Sequence, residues 1–345
     1  MKNFHRAMRV ESILIFSFSH IGDAVLSTCV IPPLQRHFPD ARISVLVGPK
    51  SCNILWGDVR ISELIIYDNR GAHAGLSGKR RLIRELKTRK FDLIVDLRDS
   101  FWSRFIDGTR WGMPSSRRYT ASYRESHAVD RYLGILSAHG VESEGAAPEI
   151  RLLKSEERSA AAFLSRNGVL ERNMIIGIHP GGGWSYKLWP VERFAALGEF
   201  LSQRYGAKIL VFSGPDEAPL QEQMAYLMKS TPILVKDVGL RELSALIQRC
   251  NIYIGNDTGP MHIAAAVGTR VIAIFGPTSA VRSGPYGSQH IVIAESIECS
   301  PCHPGRRPGG CNLDTCMAME AVSVSRVAEA VGRNLSNERE SHTSC

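Results

Sequence analysis

The 345-residue sequence contains no apolar run approaching the roughly 18–20 residues needed to cross a bilayer as a helix. It has no G-x-G-x-x-G after its first apolar segment, no P-loop spacing and no repeat with a period of 20–50 residues. Those absences argue against a helical membrane protein, a nicotinamide dehydrogenase, a P-loop nucleotidase and a solenoid. Cysteine is sparse, eight residues in all, and forms no disulfide framework, which points to a reducing cytoplasm. The short run Ile13–Phe16 is followed by Ser17, Ser19, His20 and Asp23 with no small-residue cleavage site. It reads as a buried first strand and not a secretory signal.

What is present is an ordinary globular composition, 44% hydrophobic and 22% charged, with a net charge of +8. The excess is local: residues 60–131 hold 16 Lys/Arg against 9 Asp/Glu. Such a region suits an anionic partner. The basic cluster around Lys79-Arg80-Arg81 lacks interleaved aromatic residues and any nucleic-acid module, so a non-enzymatic nucleic-acid-binding protein is the weaker alternative.

Short β-rich runs alternate with helical stretches along the chain. Strands are expected at 12–18, 42–47, 63–67 and 91–97, with helices at 23–37 and 79–89; the pattern lapses over 141–157 and restarts with a strand at 174–179. Further strands are expected at 208–213, 252–255 and 270–275, with helices at 190–205, 219–229, 240–249, 260–267 and 324–334. This is an α/β chain of two Rossmann-like domains, residues 1–150 and 151–335, with the linker inside 141–157 and a mobile polar tail at 336–345. Ligands of such sheets bind beyond the carboxyl ends of the strands.

Four loops at those ends carry candidate chemistry. In Ser17–Asp23, Gly22 allows close backbone approach, and Asp23 is either a helix cap or a general base. In His179–Pro190, Gly181, Gly182 and Gly183 expose backbone N–H groups and Lys187 offers an ammonium to a phosphate; a plain Gly-rich turn anchored by Trp184 and Trp189 is the alternative. In Ser213–Glu217, Asp216 or Glu217 can bind ribose hydroxyls or simply start a helix. In Gly255–His262, Thr258 and Gly259 stand near a helix N-terminus with His262 one turn in, an anion-binding arrangement.

The segments SHIGDAVLSTCVIPPL, HPGGGWSYKLWP, GNDTGPMHIAAAVGTRVIAIFGPTS and CSPC…C…CM resemble, in order and spacing, the ADP-heptose:lipopolysaccharide heptosyltransferase family, over about residues 10–330. The resemblance implies a GT-B fold of two Rossmann-like domains facing across a cleft: an N-terminal acceptor domain and a C-terminal nucleotide-sugar domain, with the final helix returning toward the first. It implies an inverting glycosyltransferase that moves heptose from ADP-heptose to a phosphorylated inner-core sugar of lipopolysaccharide and needs no cofactor. The chain would then work peripherally at the cytoplasmic face of the inner membrane.

By the same resemblance Asp23 is the general base, and Lys187, Asp257, Thr258, Gly259, His262, Gly182, Gly183 and Glu217 serve the donor. A GT-B transferase or epimerase using another nucleotide sugar remains the alternative. Arg98, Arg104, Arg117, Arg118 and Arg124, within the basic region, are candidate acceptor contacts. Cys299, Cys302, Cys311 and Cys316 have a spacing that suits a structural zinc or iron site or, equally, a reduced metal-free loop.

Overall fold

The computed structural model describes residues 9–112, 125–302 and 315–343. The chain divides into two compact units, Met1–Arg151 and Leu152–Cys345. The first holds β1 (Ser12–Phe16), β2 (Arg42–Val47), β3 (Glu63–Ile66), β4 (Leu93–Asp96) and β5 (Thr109–Gly112). They form one sheet of order β3-β2-β1-β4-β5, parallel throughout.

The second unit holds β6 (Ile175–His179), β7 (Lys208–Phe212), β8 (Ile233–Val235), β9 (Ile252–Asn256), β10 (Arg270–Phe275) and β11 (Ile291–Ala294). Its order is β11-β10-β9-β6-β7-β8, again all parallel. Both are doubly wound sheets, as the alternating pattern predicts. The strand order reverses between β1 and β4 in the first and between β6 and β9 in the second. Crevices that take ligands open at such reversals.

The strands are continuous apolar runs because helices cover both faces of a parallel sheet. IIGIH and IYIGN are buried along their whole length. The helix Val191–Tyr205 inserts Phe194, Leu197 and Leu201, all fully buried, and stops at Gly206, whose φ of 63° suits glycine.

Three boundaries differ from the sequence reading. The helix expected over 23–37 is instead a helix Ile21–Ser27, a 3-10 turn Thr28–Val30 and a helix Ile31–His37. Pro32 and Pro33 cannot donate to the carbonyls one turn back, so the α ladder breaks there. The expected linker ends early, since a helix occupies Lys154–Arg166, its start fixed by Glu156 accepting from the Leu153 amide at 2.7 Å.

The last helix runs from Val324 to Thr343, so most of the tail expected at 336–345 continues it; the sequence there has neither proline nor glycine to stop a helix. Its Val327, Ala330 and Val331 are fully buried in the second unit's own core. Among the described residues no helix is long and apolar enough to cross a membrane.

Candidate active site

In the second unit the loops after β6 and β9 flank the strand-order reversal and are wired together by buried polar side chains. Asn256, the last residue of β9 and fully buried, donates from Nδ2 to the carbonyls of Pro180 (3.0 Å) and Gly181 (3.1 Å). Its Oδ1 accepts from the Trp189 amide at 3.0 Å. One side chain thus pins both ends of the glycine-rich loop. Trp189 is a buried anchor, its indole donating to Val322 O at 2.9 Å, whereas Trp184 is exposed.

Within that loop the 3-10 turn Ser185–Lys187 aims the lysine at the next loop. The Lys187 ammonium donates to Asp257 Oδ2 at 2.6 Å, and Thr278, from the loop after β10, donates its hydroxyl to the same oxygen at 2.7 Å. Asp257 is buried and Lys187 about a quarter exposed, so the cation is the member of the pair open to a ligand. Thr258 takes the N-cap position of the helix Gly259–Ala266, but its hydroxyl does not cap the helix. The first N–H groups of a helix lack intrahelical acceptors, so this end can offer donors to an anion.

A Cβ on Gly182 would lie 3.0 Å from both Thr258 Cγ2 and Leu188 Cδ2, so glycine lets the two loops close on each other. Gly183 meets nothing within 4 Å and is not required by packing. His262 is buried in the first turns of its helix.

Glu217, expected at the donor ribose, holds the loops after β6 and β7 together. Its Oε2 lies 2.9 Å from His179 Nε2 and accepts the Gly214 amide at 2.6 Å. A side chain on Gly181 would collide with this carboxylate. Burial pushes the Glu217 carboxyl up. The hydrogen bond and charge of His179, with the Gly214 and Gly182 amides, outweigh that and hold it below the usual carboxylate range. Nothing in the local sequence marks His179, Asn256 and Thr278 as functional side chains. Their signal was position alone, each at or just beyond the carboxyl end of a strand.

In the first unit the loop after β1 is fixed by small side chains. Ser17 and Ser27 hydroxyls lie 2.7 Å apart, Ser51 donates to Ser19 O at 2.8 Å, and a Cβ on Gly48 would stand 2.5 Å from Ser19 Cα. His20 occupies the N-cap of the helix Ile21–Ser27, so Asp23 is its third residue. The Asp23 charge reaches the Tyr132 phenol, whose proton is held more tightly by burial first and by that charge second.

Arg98, just past β4, lies over the rings of Phe18 (6.0 Å) and Tyr67 (5.7 Å) and donates to Ser17 O at 3.4 Å, which sets its guanidinium beside the Asp23 loop. Arg104 is exposed, 4.0 Å from Asp99. Arg117, Arg118 and Arg124 lie outside the described residues.

Part of the basic excess serves the fold. Arg60 is buried against Asp58 and Glu149, Arg89 pairs with Glu63 and Glu85, and Arg110 with Asp96 and Asp99. Of the expected thiolate site, Cys299, Cys302 and Cys316 are described and Cys311 is not. Among the described residues no group of three or more His, Cys, Asp or Glu is placed to hold a metal ion, and Cys302 donates to Cys299 O at 2.9 Å. The structural zinc or iron therefore gains no support.

The glycosyltransferase family 9 (heptosyltransferase) sequence model matches residues 79–308. The lipopolysaccharide heptosyltransferase 3 of Escherichia coli is 29% identical over 291 residues, 78% of this chain and 85% of that protein. A family 9 glycosyltransferase structure from Veillonella parvula superposes with a TM-score of 0.82 at 25% identity, over 96% of this chain and all of that one. The E. coli ADP-heptose lipopolysaccharide heptosyltransferase II shares the fold, with a TM-score of 0.74 at 19% identity over 95% of this chain and 99% of that one. With two parallel-sheet units and a family match spanning most of its length, the chain belongs to glycosyltransferase family 9, the heptosyltransferases.

Proposed function

We propose that this protein transfers a heptose from ADP-heptose to a phosphorylated inner-core sugar of lipopolysaccharide, with inversion at the anomeric carbon. The observation that carries the reading is the assembly of Lys187, Asp257, Thr258 and Gly182 at the strand-order reversal of the second sheet. A cation, a helix N-terminus and close-packed backbone amides suit a nucleoside diphosphate. They act most strongly as charge grows on the departing group. Asp257 is itself an anion, so its task is to orient the Lys187 ammonium, with Thr278 holding the carboxylate in place. His262 adds a ring nitrogen near the same helix end.

Asp23 is the general base that takes the proton of the attacking hydroxyl. Its place in the first turn of the helix Ile21–Ser27, at the carboxyl edge of the first sheet, is where an acceptor hydroxyl would approach it. Arg98 and Arg104 supply positive charge for phosphates on the acceptor. Lys187 and the helix end provide the electrostatic stabilisation that this displacement requires, and no step calls for a cofactor. The protein would act at the cytoplasmic face of the inner membrane, where the lipid-linked acceptor is assembled.

The test is nucleotide release from ADP-heptose, UDP-sugars and GDP-sugars, with and without a phosphorylated inner-core oligosaccharide. ADP release that requires the acceptor supports the proposal. Equal use of UDP- or GDP-sugars, or a rearranged sugar formed without acceptor, overturns it.

A further inference from the structure

The helix Gly75–Thr88 follows β3, and the 3-10 turn Phe101–Phe105 follows β4. The helix start and the turn therefore lie at the carboxyl edge of the first sheet, the edge that carries the Asp23 loop. The helix buries Gly78, Leu82 and Leu86 one turn apart. Leu76, Arg80, Arg84 and Lys87, at i, i+4, i+8 and i+11, form the opposite, exposed stripe. Three of its four residues are cations, Lys87 lying 3.5 Å from Asp107, and the helix as a whole holds five Lys/Arg against one acid, Glu85.

The turn beside it leaves Phe101 57% and Phe105 45% exposed, and Leu76 is 62% exposed. Lys79 lies 5.3 Å from the Trp102 ring centroid, so a cation–π contact joins helix and turn into one surface. Exposed aromatic and aliphatic side chains beside a row of cations are costly in water unless something covers them.

We propose that this face docks the protein on an anionic phospholipid surface. The Phe101–Phe105 turn and Leu76 insert at the headgroup level, and Arg80, Arg84 and Lys87 lie over acidic headgroups. Charge complementarity selects this occupant: aromatic residues suit the interface between water and hydrocarbon, and each cation held there adds attraction to acidic lipid. The proposal rests on the glycolipid acceptor of the preceding section. Docking by this edge would bring the Asp23 loop to the side where a lipid-linked sugar leaves the bilayer.

The test is sedimentation of the full chain with phosphatidylethanolamine vesicles prepared with and without phosphatidylglycerol, over a range of salt. Binding that requires phosphatidylglycerol and weakens with salt is the expected result. R80Q/R84Q should bind about thirtyfold more weakly, and F101S/F105S should also lose binding. Both variants should keep wild-type unfolding temperatures and wild-type turnover of a deacylated, water-soluble acceptor. Indifference of the wild type to phosphatidylglycerol, or unchanged binding by both variants, overturns the proposal. So does lost turnover of the deacylated acceptor in variants that still sediment, which would make this face an acceptor subsite. Failure of the wild type to use any acceptor, with vesicle binding intact, would instead break the heptosyltransfer reading and leave the docking surface standing.

Discussion

The two strand-order reversals of this protein are built by different means. At the one between β6 and β9, buried side chains tie the loops to one another: Asn256 to the glycine-rich loop, Thr278 and Lys187 to Asp257, His179 to Glu217. At the one between β1 and β4, serine hydroxyls and backbone contacts hold the loop after β1, and the buried Asp96 holds the loop after β4 through the Ser100 amide and the Ser103 hydroxyl, so that the groups left for a ligand are the half-buried Arg98 and the exposed Arg104. A diphosphate has the same shape in every turnover, so a prewired cradle suits it. A branched, phosphorylated glycan is better met by long side chains that adjust. Variants of the second unit should therefore lose nucleotide affinity and stability together, and variants of the first should lose acceptor use or turnover with nucleotide affinity intact.

The largest effect is expected at Asp23. Asp23→Asn should lower turnover by about 10²–10⁴-fold, the usual contribution of a general base, with ADP-heptose affinity by calorimetry unchanged. Near-native turnover would remove Asp23 from the chemistry. Lys187→Ala comes next: loss of a charge-assisted contact of about 1.5–3 kcal/mol should weaken ADP by roughly tenfold to a hundredfold and also cut turnover. Retained ADP affinity would show that the lysine serves only the fold.

Asn256→Ala removes three hydrogen bonds and leaves the buried Trp189 amide without its acceptor. Urea unfolding should register about 2–3 kcal/mol along with weaker ADP binding. A stability loss with ADP affinity intact would separate the scaffold from the site and blunt the comparison. Arg98→Ala should raise the acceptor KM by about tenfold and leave donor affinity untouched. A change in donor affinity there would erase the contrast between the units.

The smallest effect concerns pH. The folded-state pKa of Glu217 lies below its ordinary value of 4.5, so its stabilisation is present above about that pH and fades as acid protonates the folded carboxylate. Glu217→Gln should flatten the acid limb of a stability–pH curve. A curve identical to wild type would mean that the His179 pairing adds nothing.

Much of this was legible in the sequence. Apolar runs such as RVIAIF and FDLIVDL have few alternatives to buried parallel strands, and glycine or Asp-Thr-Gly-Pro directly after a strand marks a loop that approaches a ligand. The helix at Lys154 was missed because Lys-Ser-Glu-Glu reads as a charged linker until Glu156 is seen closing its cap and pairing with Arg241. The sequence reading also lacks the strands Thr109–Gly112, Ile233–Val235 and Ile291–Ala294, which are only three or four residues long. Glu217 stands out in the sequence by its charge, but its partner His179 lies 38 residues away and no local pattern connects them.

By itself the sequence determined the two doubly wound sheets, the strand-end loops that hold the candidate residues and the region holding the excess charge. All of these depend on local periodicity and composition, which act over a few residues. The tertiary structure alone decided which charges meet. It spent Arg60, Arg89 and Arg110 on internal ion pairs and left Arg80 and Arg84 exposed, and it placed Thr278 on the same carboxylate oxygen as Lys187. Electrostatic partnership is fixed by distance in space and by burial, and parallel crossovers bring together residues that are tens of positions apart along the chain.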